Sequence, residues 1–310
     1  MLTYKTRTMN LMGIMLILAV CCLWSANVAA QELTPRLYWP APKGTKVFVS
    51  GYAYSYGDVL VDRSLPISGV DSRINSGVLA YMQSLGLWGR STNLLVELPY
   101  SWGKTKGFVY GVPAKRDFAG PGDLGVTLTV NLLGAPSMTR EDFLKLRANP
   151  HLILAASLKI IAPTGKYDED RLINVGANRW ATRAQLGSII PLHPTWLLEL
   201  SASAWFFGDD DEYLTGKREQ APIYGAQVNL IKRLRPGLWA SLDLSAFRGG
   251  RQTIDGNSLD DEQRNVKIGG TMVIPFLQRH AIKFGYATGT VTKHGNDFNQ
   301  FLLSYQMVFK

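Results

Sequence analysis

The feature that most constrains the fold is the alternation of apolar and polar residues in stretches of strand length. In the last of these, residues 298–310, large apolar or aromatic side chains recur at a spacing of two: Phe301, Leu303, Tyr305, Met307 and Phe309. A period of two places them on one face of a β-strand. The pattern recurs along the chain without long amphipathic helices to cover such faces. Lipid is then the simplest cover, and only a closed barrel pairs every strand edge in lipid.

Twelve stretches of this kind predict twelve strands, each long enough to cross a bilayer at a tilt, which takes about 9–11 residues. They are residues 46–56, 74–86, 91–103, 122–133, 150–162, 176–190, 195–207, 221–233, 238–247, 264–275, 280–292 and 298–309. The predicted fold class is all-β, a closed antiparallel transmembrane β-barrel of about 12 strands and of the outer-membrane type.

The connections follow the asymmetry of such barrels, which have short periplasmic turns and long outer loops. Short turns are predicted at 87–90, 191–194, 234–237 and 276–279, and mostly long, polar connections at 57–73, 104–121, 163–175, 208–220, 248–263 and 293–297. One periplasmic connection, 134–149, is long and predicts a short N-capped helix. An ordinary surface helix is the simpler interpretation, and a helix across the periplasmic mouth is the alternative.

The first thirty residues predict a cleaved signal peptide. Lys5 and Arg7 precede an apolar run over 11–24, and small residues at 28–30 suit a cleavage site. An uncleaved membrane anchor is the alternative. Residues 31–310 are predicted to form a single barrel domain in the outer membrane. Its Pro-rich start, 31–45, is not predicted to be a strand and either hangs in the periplasm or enters the lumen.

Composition excludes several classes of function. Cys21 and Cys22, the two cysteines of the chain, lie in the predicted signal peptide, so the mature chain has no disulfide or thiolate site. Removing Lys5 and Arg7 lowers the formal net charge from +9 to +7, and the remaining cations are scattered, which argues against a nucleic-acid partner. No later apolar run reaches the roughly 18 residues of a transmembrane helix. We expect no cofactor and no metal.

The polar faces of the strands point into the lumen of a barrel. They carry seven charged residues as lumen-facing candidates: Glu97, Lys159, Arg183, Glu199, Asp243, Lys267 and Lys283. One interpretation is a lumen whose charges tune the passage of a solute. The other is an internal salt-bridge network that fills a narrow barrel. Twelve strands lie between small filled barrels and the open 16-stranded porins, so both interpretations can hold.

Aromatic residues near the strand ends predict girdles at the two membrane interfaces. They include Trp88, Trp102, Trp180, Trp196 and Trp239. Trp205 and Phe247 are exceptions, because they fall on predicted inner faces near the outer rim. These two are possible contacts for an aromatic solute.

Two further candidates for chemistry are weak. The acidic stretch 208–212 predicts a solvated loop, since it lacks the glycine and the distant glutamate of an EF-hand. A membrane-embedded hydrolase would need His294, the histidine on the outer side, but no serine stands out as its partner. The chain also lacks G-x-S-x-G and H-E-x-x-H. We expect that the protein is not an enzyme.

Several segments together resemble a family of Gram-negative outer-membrane proteins named for roles in the meta-cleavage pathway of phenol degradation and often labelled transporters. They are Ser64-Leu65-Pro66, Leu85-Gly86-Leu87-Trp88-Gly89-Arg90-Ser91, Leu98-Pro99-Tyr100-Ser101-Trp102, Gly122-Asp123-Leu124, Asn131-Leu132-Leu133-Gly134-Ala135-Pro136, Ala162-Pro163-Thr164-Gly165-Lys166-Tyr167-Asp168, Arg171-Leu172-Ile173-Asn174-Val175-Gly176-Ala177-Asn178-Arg179-Trp180 and Gly295-Asn296-Asp297-Phe298. The resemblance implies an outer-membrane location and uptake of aromatic or other apolar compounds. It implies no residue-level site.

The expected function is therefore a channel or transporter for small, apolar or aromatic molecules. The expected partners are outer-membrane lipid, lipopolysaccharide and such a solute, while the oligomeric state stays open. A structural or adhesive barrel with a plugged lumen is the alternative, and a membrane-embedded hydrolase is a distant one.

Overall fold

A computed structural model describes residues 33–58, 67–109, 112–171, 173–214, 216–292 and 298–309. Within these ranges one α-helix, α1, spans Arg140–Ala148. The strands are β1 Lys46–Gly57, β2 Ile67–Leu85, β3 Thr92–Val109, β4 Val112–Pro121, β5 Leu124–Leu133, β6 Ile153–Ala162, β7 Ala181–His193, β8 Trp196–Phe207, β9 Asp210–Tyr213, β10 Gly216–Gln220, β11 Ile223–Arg235, β12 Leu238–Gly249, β13 Gln252–Ile254, β14 Asn257–Ser258, β15 Gln263–Phe276, β16 His280–Thr292 and β17 Phe298–Phe309. The predicted signal peptide lies outside the described residues.

Within the described ranges, twelve antiparallel strands close into a ring, which confirms the predicted fold class. β1 pairs with β2 on one side and with β17 on the other, from Lys46 opposite Phe309 to Gly57 opposite Phe298. β5 follows β4 after a break at Gly122 and Asp123, and both pair with β3. Closure leaves none of the described wall strands with an unpaired edge, as lipid requires.

Several predicted boundaries are wrong. β2 begins at Ile67 rather than at 74, and β3 runs to Val109 rather than to 103. β4 occupies much of the predicted loop 104–121, because β3 and β4 continue above the ring as a hairpin. Residues 176–180 are not in a strand, since β7 begins at Ala181. Alternation does not reveal how far a hairpin projects beyond the bilayer.

The outer wall is apolar around the barrel. Leu79 on β2, Leu186 on β7 and Leu242 on β12 are more than half exposed. Aromatic pairs border this surface at both levels: Tyr52–Trp102 and Tyr286–Phe301 toward the outer side, and Tyr81–Phe309 at the periplasmic end. The girdle and the apolar band are the features of bacterial outer-membrane barrels, which places the protein in the outer membrane.

No helix among the described residues has the length and apolar character needed to span a membrane. α1 instead begins at a capping box, in which Thr139 accepts from the Asp142 amide and Asp142 accepts from the Thr139 backbone. Leu146 is buried and Phe143 packs beside it against side chains inside the periplasmic end of the ring. The helix thus lies across the periplasmic mouth, and the simpler interpretation of an ordinary surface helix is wrong.

Candidate functional site

The lumen is the candidate site, and period-two alternation positions its side chains. On β8 the buried residues Leu197, Glu199 and Trp205 share the inner face. The strand pairs then place Asn229 of β11 and Asp243 of β12 level with Glu199. By the same register, all seven charged candidates point inward. From the periplasm outward, the lumen has an apolar level, a polar level and a second apolar level.

The periplasmic level is filled by residues 33–45, which we call the N-terminal plug. Its backbone enters the lumen, where the amide of Arg36 donates to Oε2 of Glu199 at 2.7 Å. The ring of Tyr38 lies against the backbone of Gly187 on β7. A Cβ added to Gly187 would stand 2.1 Å from this ring. The glycine therefore leaves the space that the tyrosine occupies.

Cation–π contacts stabilise the plug around Arg36. The Arg36 guanidinium lies 4.7 Å from the ring centroid of Trp39 and 5.2 Å from that of Trp239. Trp239 is only 7% exposed and points into the lumen. Its predicted place in the interface girdle is therefore wrong, because position 239 falls on the inner parity of β12. Desolvation by burial lowers the pKa of Arg36 to about 10, so this side chain remains charged at neutral pH.

The plug, α1 and the strand ends form one apolar cluster. Its buried members are Tyr38, Ala135, Met138, Leu146, Ile153, Ala155, Ile189, Leu197, Ile231, Trp239 and Val273. Arg233 adds a hydrogen bond to the carbonyl of Arg147 at the end of α1. This cluster packs the plug and α1 against the inner wall at the periplasmic end of the ring.

The middle level is polar and internally bonded. Lys159 lies 2.8 Å from Glu97 Oε2 in an ion pair. Asp243 Oδ2 accepts from the Thr271 hydroxyl at 2.9 Å. Lys267 donates to Gln300, which in turn donates to Ser55. The network fills space inside the barrel, as the second sequence interpretation expects. That its charges tune the passage of a solute stays a prediction.

The outer level is apolar and aromatic. Trp205, Ile223 and Phe247 are buried together, and Phe207 packs beside them. The rings of Trp205 and Phe207 are stacked with centroids 6.3 Å apart. The guanidinium of Arg183 lies 5.2 Å from the Trp205 centroid. The two aromatic candidates from the sequence therefore share one surface inside the barrel.

A four-stranded cap of β9, β10, β13 and β14 covers this level. At its centre Asp210 and Arg218 form an ion pair of 3.2 Å, and both side chains are buried. Tyr167 and Asn178 donate to the same carboxylate. The predicted solvated loop 208–212 is therefore wrong for Asp210, which the cap buries, while the other four residues of the stretch are exposed. No cluster of three or more potential metal ligands occurs in the described part of the chain.

Residues of the segments that resemble the family hold the loop 163–180 against the barrel wall. Asp123, at the break between β4 and β5, accepts from the amides of Gly165 and Ala177, each at 2.8 Å. Gly165 and Gly176 are in backbone contact, and a Cβ on either would stand 2.7 Å from the other glycine. We call this arrangement the Asp123 clasp. These residues are thus structural.

Two of the described histidines have the following local partners. His151 contacts the carbonyl of Gly134 at 2.7 Å, and His280 contacts the hydroxyl of Tyr305 at 2.6 Å. His294, which the hydrolase alternative requires, lies outside the described residues.

Sequence reasoning missed the plug residues Arg36 and Tyr38. The available indication was composition, since Leu33, Leu37, Tyr38 and Trp39 are too apolar for a solvated linker. Alternation gave no information there because the plug is not a strand.

Comparisons with known proteins agree with this fold. Residues 45–304 match the family model described as "Putative MetA-pathway of phenol degradation". The chain is similar to the COG4313 outer membrane channel from Pseudomonas putida F1, with 24% identity and a TM-score of 0.73 over 90% of this chain and 100% of that chain. It is also similar to the transport unit of the autotransporter AIDA-I from Escherichia coli, with 11% identity and a TM-score of 0.51 over 94% and 97%.

No curated protein matches the chain. The family model nevertheless covers nearly all of the barrel, from the residue before β1 into β17. The chain therefore belongs to the family whose model is described as "Putative MetA-pathway of phenol degradation", as its sequence segments indicate.

Proposed function

We propose that the barrel is a passive channel for small, apolar or aromatic molecules across the outer membrane. The observation that carries this proposal is the aromatic surface of Trp205, Phe207 and Phe247 inside the lumen. Sites for small apolar ligands are concave, mostly apolar and supplied with a few polar groups. The outer level of the lumen, with the polar middle level on its periplasmic side, has this composition.

The family description supports the same proposal, since it names phenol degradation. The solved Pseudomonas putida protein is an outer membrane channel, and its fold is shared over most of both chains. We propose that Trp205 and Phe247 contact the solute. We also propose that the seven lumen charges tune its passage and that the protein is not an enzyme.

A plugged structural or adhesive barrel is the second candidate, and the N-terminal plug favours it. Tyr38 is buried with α1 and the strand ends, so the plug occupies the periplasmic half of the lumen in this conformation. The two candidates differ in whether the plug leaves. A conducting channel requires displacement of the plug, whereas in a structural barrel the plug stays in place.

Electrical and solute measurements on one preparation separate these candidates. The refolded barrel is placed in planar bilayers and in liposomes, together with a variant that lacks residues 31–41. We expect phenol entry above that of protein-free liposomes for both proteins, and larger single-channel conductance for the variant. A folded barrel that admits no phenol with or without the plug would contradict the channel.

The surroundings of the barrel are also a proposal. We propose that residues 1–30 are removed on export and that lipid and lipopolysaccharide cover the wall. A groove of about 600 Å³ on the outer wall is lined by residues that include Met272, Phe284, Phe301 and Leu303. Its apolar lining suits lipid acyl chains.

A further inference from the structure

Two buried N–H donors meet in the lumen without an acceptor. Arg183 is 6% exposed, and so is Trp205, the residue on which its guanidinium stacks. Among the described residues, none accepts from Arg183 Nε or from Trp205 Nε1. Buried donors are usually satisfied in folded proteins, so a bound acceptor at these two neighbouring donors would offset the cost of their burial.

The charges around Arg183 indicate that this acceptor is an anion. Its neighbour on β6, Lys159, is paired with Glu97, and Glu199 is engaged by the plug at Arg36. No carboxylate in the described ranges forms an ion pair with Arg183. A buried guanidinium needs a compensating negative charge, and guanidinium groups bind carboxylates with matched planar geometry.

The surface around this pair accepts an aromatic ring. Phe207 is stacked on Trp205, and Ile223 and Phe247 complete the apolar cluster. Tyr38 of the plug packs on Gly187, four residues along β7 from Arg183 and on the same face. A ligand at Arg183 would therefore have aromatic walls and the plug as its floor.

We propose that Arg183 and Trp205 bind the carboxylate of an aromatic acid, whose ring packs against Phe207 and Phe247. This assigns a substrate class to the lumen and rests on the proposed function. The Arg183 guanidinium supplies the charge, and Trp205 Nε1 supplies a second donor. A neutral phenol would use the aromatic surface alone.

Binding of radiolabelled benzoate and phenol to the folded barrel, measured by equilibrium dialysis, tests the assignment. We expect Arg183→Gln to raise the Kd for benzoate at least about tenfold, which is the loss of about one charge-assisted hydrogen bond. Trp205→Phe should raise it less, since it removes one neutral donor and keeps a ring. The Kd for phenol should change less than about twofold in Arg183→Gln.

Lys232→Gln is the matched control, since Lys232 also stacks on a tryptophan, Trp196, but at the periplasmic end. Arg183→Lys keeps the charge and should recover part of the benzoate affinity, which covers the case in which Arg183→Gln fails to fold. Unchanged benzoate binding in Arg183→Gln, or an equal loss of phenol binding, would overturn the proposal. Phenol entry into liposomes would then still support the channel, so the two failures are distinguishable.

Discussion

Gly187 lies under the ring of Tyr38, and this single contact fits the plug to the wall. An alanine there places its Cβ inside the volume of the ring. We expect Gly187→Ala to displace Tyr38 at a local cost of about 1–3 kcal/mol, typical of overpacking. The displaced plug should increase single-channel conductance without unfolding the barrel.

Gly77→Ala is the control for this change, because its added Cβ meets only a backbone oxygen at 4.0 Å. Adding Tyr38→Ala to Gly187→Ala removes the clash, so the double variant should show no further gain over Tyr38→Ala alone. Wild-type conductance in Gly187→Ala would show that Tyr38 does not hold the plug.

Asp123 is the second residue whose removal has a defined consequence. Asp123→Ala leaves the amides of Gly165 and Ala177 without their acceptor, at about 1–3 kcal/mol for each group that stays buried. We expect protease cleavage within 163–180, mapped by mass spectrometry, before any cleavage of the barrel. Asp117→Asn, which breaks an exposed pair with Lys104, should leave the digestion pattern unchanged. Equal patterns in all three proteins would contradict the role of the clasp.

For individual residues, the sequence predicts which side chains face inward, because strand parity determines the direction of both Glu199 and Asp243. It does not predict their partners. Arg36 reaches Glu199 across a separation of 163 residues, and no local pattern encodes that contact. Trp239 is the opposite case. Its position near a strand end predicts the membrane interface, but its parity places it inside the lumen.

The helix α1 is an element whose stability depends on pH. Hydrogen bonds from Thr139 lower the pKa of Asp142 below its ordinary value of 3.8. A lowered folded-state pKa stabilises the helix at pH above the ordinary value, and this contribution is lost as pH falls through the lowered pKa. We expect amide-exchange protection of 140–148, corrected for intrinsic rates, to fall below pH 3.8.

Thr139→Ala removes the strongest of these hydrogen bonds, so it should raise the Asp142 pKa and move the loss of protection to higher pH. Asp142→Asn should abolish the pH dependence. The same profile in all three proteins would show that the cap does not control the helix.

Strand elements are predicted well wherever they cross lipid, because lipid on one face and the lumen on the other enforce alternation. The cap strands β9, β10, β13 and β14 were predicted as loops. They are short and lie outside the bilayer, so lipid on one face and the lumen on the other do not impose alternation on their sequences. β4 is missed for the same reason, and among the described strands it pairs with β3 alone.

For the whole molecule, the balance of lumen charge predicts ion preference. The seven inward charges of the wall comprise four cations and three carboxylates, which leaves one net positive charge when the plug is displaced. We expect the open channel to prefer chloride over potassium, measured as the sign of the reversal potential in a KCl gradient. Arg183→Glu should shift that potential toward potassium. Potassium preference in the wild-type channel would contradict this account of the lumen field.

The seam between β1 and β17 has a consequence for assembly. Every residue of β1 is paired with β17, although the two strands are far apart in the chain. Until β17 docks, β1 and β16 each present a row of open backbone groups, and such edges promote association between chains. Loss of β17 alone would therefore leave an open, adhesive sheet in place of a smaller barrel. Until this seam forms, the exported chain therefore carries exposed strand edges that can associate with other chains.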